Sequence, residues 1–152
     1  MNFIKKHLIS ITILGLIILD QVSKIFLAKD ITIIEGIIKF TYTENTGGAF
    51  GIFSSSTIAI IIFNIIILFM VARFLILQKE RMNNLTIIAL TLILGGGLGN
   101  LIDRIFRGYV VDFIDITDLF QFPIFNFADI ILTIGWVLLV IGVILTTIKN
   151  KE

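Results

Sequence analysis

The sequence predicts an all-α integral membrane protein, a four-transmembrane-helix bundle with a small extracytoplasmic β-structure. Three observations carry that expectation. The 152 residues are 57% hydrophobic and 15% charged, against about 25% charged in an ordinary soluble domain, and their mean hydropathy is +1.07. Four apolar segments, approximately 8–28, 57–77, 85–101 and 129–148, meet the length of about 20 residues that a helix needs to cross about 30 Å of hydrocarbon. The polar residues of these segments gather toward one membrane face. A single membrane domain over 1–152 is expected.

The first segment follows Lys5 and Lys6, as a signal peptide would, but Asp20 and Lys24 stand where a small-residue cleavage site would be, so it reads as an uncleaved span. The second, Thr57 to Leu77, is almost wholly apolar. The third, Leu85 to about Leu101, is short and Gly-rich, so its outer end is the least defined boundary. The fourth begins at Asp129. Lys5 and Lys6, Lys79 and Arg81, and Lys149 and Lys151 then fall on one face, with Arg73 near it, which makes that face and both termini cytoplasmic by the positive-inside rule.

With that topology, Asp20, Lys24, Asn100, Asp103, Arg104 and Asp129 all reach the outer face. Polar side chains from several helices at one depth describe a shared pocket, because each needs a partner there. Between the first two spans, Lys39-Phe40-Thr41-Tyr42-Thr43 alternates and favours β-structure, which predicts a strand pair resting on the bilayer. The following Asn45-Thr46-Gly47-Gly48-Ala49-Phe50-Gly51 reads locally as a turn, its three glycines permitting close backbone approach.

Taken singly, each element has a structural explanation. Asp20 and Lys24, four apart on one helix face, could be an intramembrane ion pair; Gly95 and Gly99 have the small-x-x-x-small spacing of helix packing; Asp103 and Arg104 could anchor a helix at the headgroups. Asp129 could complement a helix N-terminus, and Pro123 shapes a loop. The chain has no cysteine and one histidine, His7, near the basic N-terminus, so thiolate chemistry, disulfides and a His-rich zinc site are excluded.

Taken in order, the motifs are Asp20-x-x-x-Lys24, Asn45-Thr46-Gly47-Gly48-Ala49-Phe50-Gly51, Gly96-x-x-Gly99-Asn100-x-x-Asp103-Arg104, Val111-Asp112-Phe113 and Phe125-Asn126-x-Ala128-Asp129. This series closely resembles the lipoprotein signal peptidases, also called type II signal peptidases, over essentially the whole chain. Gly48 is a departure, since the family usually has alanine there. The resemblance implies an aspartic endopeptidase of the bacterial cytoplasmic membrane that cuts signal peptides from prolipoproteins before a diacylglyceryl-modified cysteine. It implies Asp112 and Asp129 as the catalytic dyad, and Asp20, Lys24, Asn45, Gly47, Asn100, Asp103, Arg104, Asn126 and Ala128 as pocket-supporting or substrate-contacting positions. The expected partners are the lipidated prolipoproteins and membrane lipids; no cofactor, metal, nucleic acid or second copy is expected.

The chemistry fits these residues. Two nearby carboxylates resist simultaneous ionisation, so the pair can share a proton, one member taking a proton from water while the other donates to the scissile carbonyl. A helix N-terminus under Asp129 favours negative charge there, leaving the proton with Asp112. Three other readings compete: a proton-coupled transporter, a noncatalytic scaffold, and a Ser-Lys peptidase using Ser23 and Lys24 or one of Ser54, Ser55 and Ser56. The first lacks a polar path to the cytoplasmic side. Adjacent Ser23 and Lys24 point in different directions on a helix, which disfavours that pair.

Overall fold

The apolar segments become four helices joined outside the bundle by a small antiparallel sheet. The computed structural model describes residues 3–47 and 57–149, so Gly48, Ala49, Phe50, Gly51, Ser54, Ser55 and Ser56 lie outside the described residues. In chain order come α1 (Phe3–Leu27), β1 (Ile31–Ile34), β2 (Ile38–Asn45), α2 (Thr57–Gln78), a short 3₁₀ turn (Lys79–Arg81), α3 (Asn84–Arg107), β3 (Val110–Asp115) and α4 (Phe127–Lys149). All four helices are long and apolar enough to cross a membrane.

Helix α3 is the centre of the bundle, packing against α1, α2 and α4. Its Leu90, Ile93, Leu94 and Leu101 form the buried core with Leu68 and Leu75 of α2. The outward faces of the other three helices expose large apolar side chains, such as Leu14 and Ile18 on α1, Ile62 and Phe69 on α2, and Val137 and Val140 on α4. That distribution suits a lipid solvent, in which apolar side chains face outward at no cost.

The glycines of α3 set the helix spacing. A Cβ on Gly96 would lie 2.6 Å from the Ala128 carbonyl oxygen, and one on Gly99 would lie 2.5 Å from Oδ2 of Asp20. Side chains there would hold α4 and α1 away, so the run read as Gly-rich is the contact surface for both neighbours. The helix also continues to Arg107, beyond the end expected near Leu101. Gly108 then stops it with a left-handed φ of 84°, donating its amide to the Arg104 carbonyl. Asn100, Asp103 and Arg104 are thereby held on regular helix.

At the other end, Asn83 caps α3 by accepting from the Thr86 amide at 2.7 Å. Its own amide donates to the Gly142 carbonyl and the Thr146 hydroxyl, tying α3 to the end of α4.

The expected strand pair is a three-stranded sheet in the order β1-β2-β3, both pairings antiparallel. The third strand holds Val110-Val111-Asp112-Phe113, whose alternation is hidden because nearly every residue of the strand is buried. After β3 the chain loops out and returns: Phe113 and Ile114 both donate to the Phe125 carbonyl, and Phe125 donates back to Ile114. This return delivers Asn126 and the start of α4 to the face of β3 that carries Asp112.

Candidate active site

Asp112 and Asp129 are seventeen positions apart in sequence, and Asn126 joins them. Its Nδ2 donates to Oδ1 of Asp112 at 2.6 Å, while its Oδ1 accepts from the Asp129 backbone amide at 3.0 Å. Oδ2 of Asp129 in turn accepts from the Asn126 amide at 3.1 Å. Asn126 precedes the first residue of α4 and Asp129 is the third, so these reciprocal bonds form a capping box that satisfies two otherwise unpaired donors. The local signal that starts the helix also fixes the Asp129 carboxylate.

Each remaining carboxylate oxygen is held by another asparagine. Asn45, at the end of β2, donates to Oδ2 of Asp112 at 2.9 Å, diagonally across the β2–β3 ladder. Asn100 on α3 donates to Oδ1 of Asp129 at 2.8 Å. Among the described residues every oxygen of the pair thus accepts one hydrogen bond, which leaves a lone pair for water or substrate.

Lys24 determines which way Asn100 points. Its ammonium can only donate, and it donates to Oδ1 of Asn100 at 3.0 Å, as does Nδ2 of Asn126 at 3.1 Å. The Asn100 amide nitrogen must therefore face Asp129. Lys24 itself lies between Oδ2 of Asp20 and Oδ2 of Asp103, both at 2.8 Å, and all three side chains are fully excluded from solvent. Asp20 also accepts from the Ala128 amide at 3.1 Å, and Asp103 from the Val111 amide at 3.2 Å. Those two bonds anchor α4 and β3 to the same charge cluster.

The positions singled out from the sequence thus form one assembly. Asp20 and Lys24 pair on α1; Asn100, Asp103 and Arg104 share α3; Asn45 ends β2 and Gly47 lies in the bend that follows it; Asp112 lies on β3; Asn126 caps α4, and Ala128 and Asp129 fall in its first turn. Two details bear on the headgroup-anchor alternative for Asp103 and Arg104. Asp103 is the second carboxylate on Lys24 and is fully buried, so it anchors charge within the bundle instead of reaching headgroups. Arg104, also buried, donates to the Gly47 carbonyl at 2.9 Å and more weakly to the Asn100 carbonyl at 3.4 Å, while its Nε has no partner among the described residues.

Gln21 was missed. Its amide reaches Asp20, Asp103 and the Gly99 carbonyl at 3.1, 3.1 and 3.3 Å, and its place beside Asp20 was the available signal. Ser23 donates to the Asp20 carbonyl at 2.7 Å, whereas Lys24 is engaged by Asp20, Asp103 and Asn100.

Two acids of β3 have opposite electrostatic settings. Burial pushes the Asp112 carboxyl from 3.8 up to about 6; the nearby charge of Asp129 adds to the rise, and the bonds from Asn45 and Asn126 oppose it. Asp115 is also pushed up by burial, but the hydroxyl and amide of Thr117 and the ammonium of Lys39 outweigh this and leave it below its ordinary value. Asp115 is a strand-end clasp, whereas Asp112 is poised to hold a proton near neutrality.

The pair opens into a cleft of about 820 Å³ between α2, α3 and α4, lined at the polar end by Asn45, Asn100, Arg104, Asp112 and Asp129 and elsewhere mostly by apolar side chains such as Ile67, Ile130 and Trp136. This combination of an acid pair and a long apolar wall fits an amphiphilic ligand with its reactive group near the helix ends.

A family model described as signal peptidase (SPase) II matches residues 12–145. A lipoprotein signal peptidase of Clostridium tetani is 41% identical over 144 residues, covering 90% of this chain and 91% of the relative. One from Staphylococcus carnosus is 39% identical over 158 residues, covering 97% and 98%. A solved bacterial membrane enzyme superposes with a TM-score of 0.83 at 35% identity, covering 96% of this chain and 92% of that one. With the family's pattern matched across nearly its full length and the same architecture in a solved relative, this multi-pass membrane protein belongs to the signal peptidase II family, the lipoprotein signal peptidases.

Proposed function

We propose that Asp112 and Asp129 hydrolyse the peptide bond that precedes the diacylglyceryl-modified cysteine of a prolipoprotein. The observation that carries this reading is the pair itself: two carboxyls joined through Asn126, one raised to about 6, at the mouth of an apolar cleft. Asp129, in the first turn of a helix whose dipole favours negative charge, takes a proton from the attacking water. Asp112 gives its proton to the scissile carbonyl oxygen. The tetrahedral diol then collapses as Asp129 passes its proton to the cysteine nitrogen and Asp112 takes one back from a hydroxyl, breaking the C–N bond, releasing the signal peptide with a new carboxyl end and restoring the starting protonation of the pair.

The remaining residues position this chemistry. Lys24 orients Asn100 and so holds Asp129; Asn45 and Asn126 hold Asp112; Asp20, Asp103 and Ala128 lock α1, α3, β3 and α4 together. Arg104, whose Nε has no partner among the described residues, lines the cleft and donates to the Gly47 carbonyl, and its forked guanidinium suits it to contact substrate carbonyls or the lipid headgroup. The acyl chains and the apolar signal helix fill the cleft, each buried methylene contributing about 0.8 kcal/mol.

The chain acts as a monomer in the bacterial cytoplasmic membrane, with both termini inside and the acid pair toward the outer face. The basic residues flanking the helices support that orientation. So do the exposed Ile31, Ile33, Ile34 and Ile37 of the β-hairpin, which would rest on the bilayer surface.

The test is incubation of the purified protein with matched lipidated and unlipidated prolipoproteins, followed by mass analysis. The expected result is one cut, immediately before the lipidated cysteine, with the unlipidated substrate intact. Equal cleavage of both substrates, or a cut elsewhere, would overturn the reading.

A further inference from the structure

Helix α2 is apolar along almost its whole length, so Asn64 near its middle is an anomaly. A carboxamide in a membrane-crossing helix is costly unless it finds a partner. Among the described residues the Asn64 side chain has none; it is half-buried and lines the cleft that holds the acid pair.

Its depth follows from packing. A Cβ on Gly97 would lie 2.5 Å from Leu68, so these positions face each other across the antiparallel α2 and α3. One turn outward from Leu68 is Asn64, and one turn outward from Gly97 is Asn100 or Leu101. Asn64 therefore lies at about the level of Asn100, which holds Asp129.

The other neutral polar side chains that line the cleft are engaged. Asn45 donates to Asp112 and accepts from the Gly47 amide; Asn100 bonds Lys24, Asn126 and Asp129; the Thr133 hydroxyl donates to the Asp129 carbonyl. Asn64 adds a carboxamide with both donor and acceptor unspent. An extended peptide segment leaving a helix in an apolar cleft has the complementary need, since its amide N–H and C=O have lost their helical partners.

We propose that Asn64 is a substrate-binding residue whose carboxamide pairs with the backbone of the unwound signal-peptide segment just before the scissile bond. Its Nδ2 donates to a substrate carbonyl and its Oδ1 accepts from a substrate amide, as a neighbouring strand would. This rests on the proposed hydrolysis at Asp112 and Asp129.

The experiment compares the full-length parent with Asn64→Leu and, as a second variant, Asn64→Ala. Each is assayed on a lipidated prolipoprotein peptide, on the same peptide with an ester replacing the amide just before the scissile bond, and on a version with ether-linked lipid chains. The substitutions should lower kcat/KM about tenfold, chiefly through KM, with no fall in melting temperature. The ester peptide, which lacks the N–H for Oδ1 but keeps carbonyls for Nδ2, should be a poorer substrate for the parent and show a clearly smaller further loss with either variant than the amide peptide does. The ether-linked substrate should show the full loss.

Parent-like cleavage by the variants would overturn the inference. So would an equal loss on the ester peptide, or a loss that disappears with ether-linked chains and thereby assigns Asn64 to the lipid ester carbonyls. A loss accompanied by a lower melting temperature in both variants would make Asn64 structural. Failure of the parent to cleave any of these substrates would remove the proposed function itself, whereas parent-like variants would remove this inference alone.

Discussion

Replacing Asp112 with asparagine should make the protein relatively more stable as pH rises. Asp112 is only 2% exposed, and its carboxyl is raised from 3.8 to about 6. The folded protein therefore binds this proton more tightly than the unfolded chain, and the group's contribution to stability is lost as pH climbs from 3.8 through about 6. Integrated from pH 4 to pH 8, the loss is about 2–3 kcal/mol. Asparagine does not titrate and so escapes it. The replacement also turns an amide nitrogen toward one of two donors, Asn45 or Asn126, at a cost of about 1–3 kcal/mol that does not vary with pH. Asp112→Asn should thus be clearly less stable than the parent at pH 4 and close to it at pH 8. In thermal unfolding in one detergent, the melting-temperature difference between variant and parent should move in the variant's favour by roughly 5–10 °C over that range. Titrating groups that are not coupled to Asp112 cancel in the comparison. A difference that is flat, or that moves against the variant as pH rises, would refute the buried proton on Asp112.

Three further outcomes follow from the same geometry. Lys24→Met strands Asp20 and Asp103 in a solvent-free site, so thermal or denaturant unfolding should register a loss of about 3–5 kcal/mol, and cleavage should fall because Asn100 loses the donor that orients it; a fully stable variant would refute the cluster. Gly96→Ala places a methyl carbon against the Ala128 carbonyl at 2.6 Å, pushing back the turn that carries Asp129; stability should fall by about 1–3 kcal/mol and activity with it, whereas unaltered activity would show that α4 has room to move. Among the described residues no group of three or more His, Cys, Asp or Glu is placed to hold a metal ion, so cleavage should survive EDTA; loss on chelation with rescue specific to zinc would contradict the mechanism.

Much of this arrangement is legible in the sequence because membrane physics makes polar residues conspicuous. Asp20, Lys24, Asn100, Asp103 and Asp129 stand out against apolar neighbours, and placing the helix ends on two faces brings all five to one depth. What stayed hidden depends on tertiary context. Val110-Val111-Asp112-Phe113 gives no alternation because β3 is buried on both faces, so the strand that carries Asp112 could be read only from its pairing with β2. The extension of α3 to Arg107 was obscured by its glycines, which weaken a helix in water yet here let α1 and α4 approach. The pairing of Lys24 with Asp103 joins two helices, and spacing along one chain reveals only the neighbour four residues away, Asp20. Asn64 stands as a polar residue inside an almost wholly apolar span; its meaning required the cleft.

The central claim is that both carboxyls act together, and the most direct measurement is the rate of cleavage of a lipidated prolipoprotein by the parent, Asp112→Asn and Asp129→Asn, each purified and shown to be folded, with the products weighed by mass spectrometry. An asparagine keeps the size of the side chain but cannot exchange the catalytic proton. Each single replacement should therefore lower kcat/KM by at least about a hundredfold, corresponding to about 3 kcal/mol of lost transition-state stabilisation. The parent should yield a single product that begins at the lipidated cysteine. Near-parental turnover by either folded variant would contradict the account.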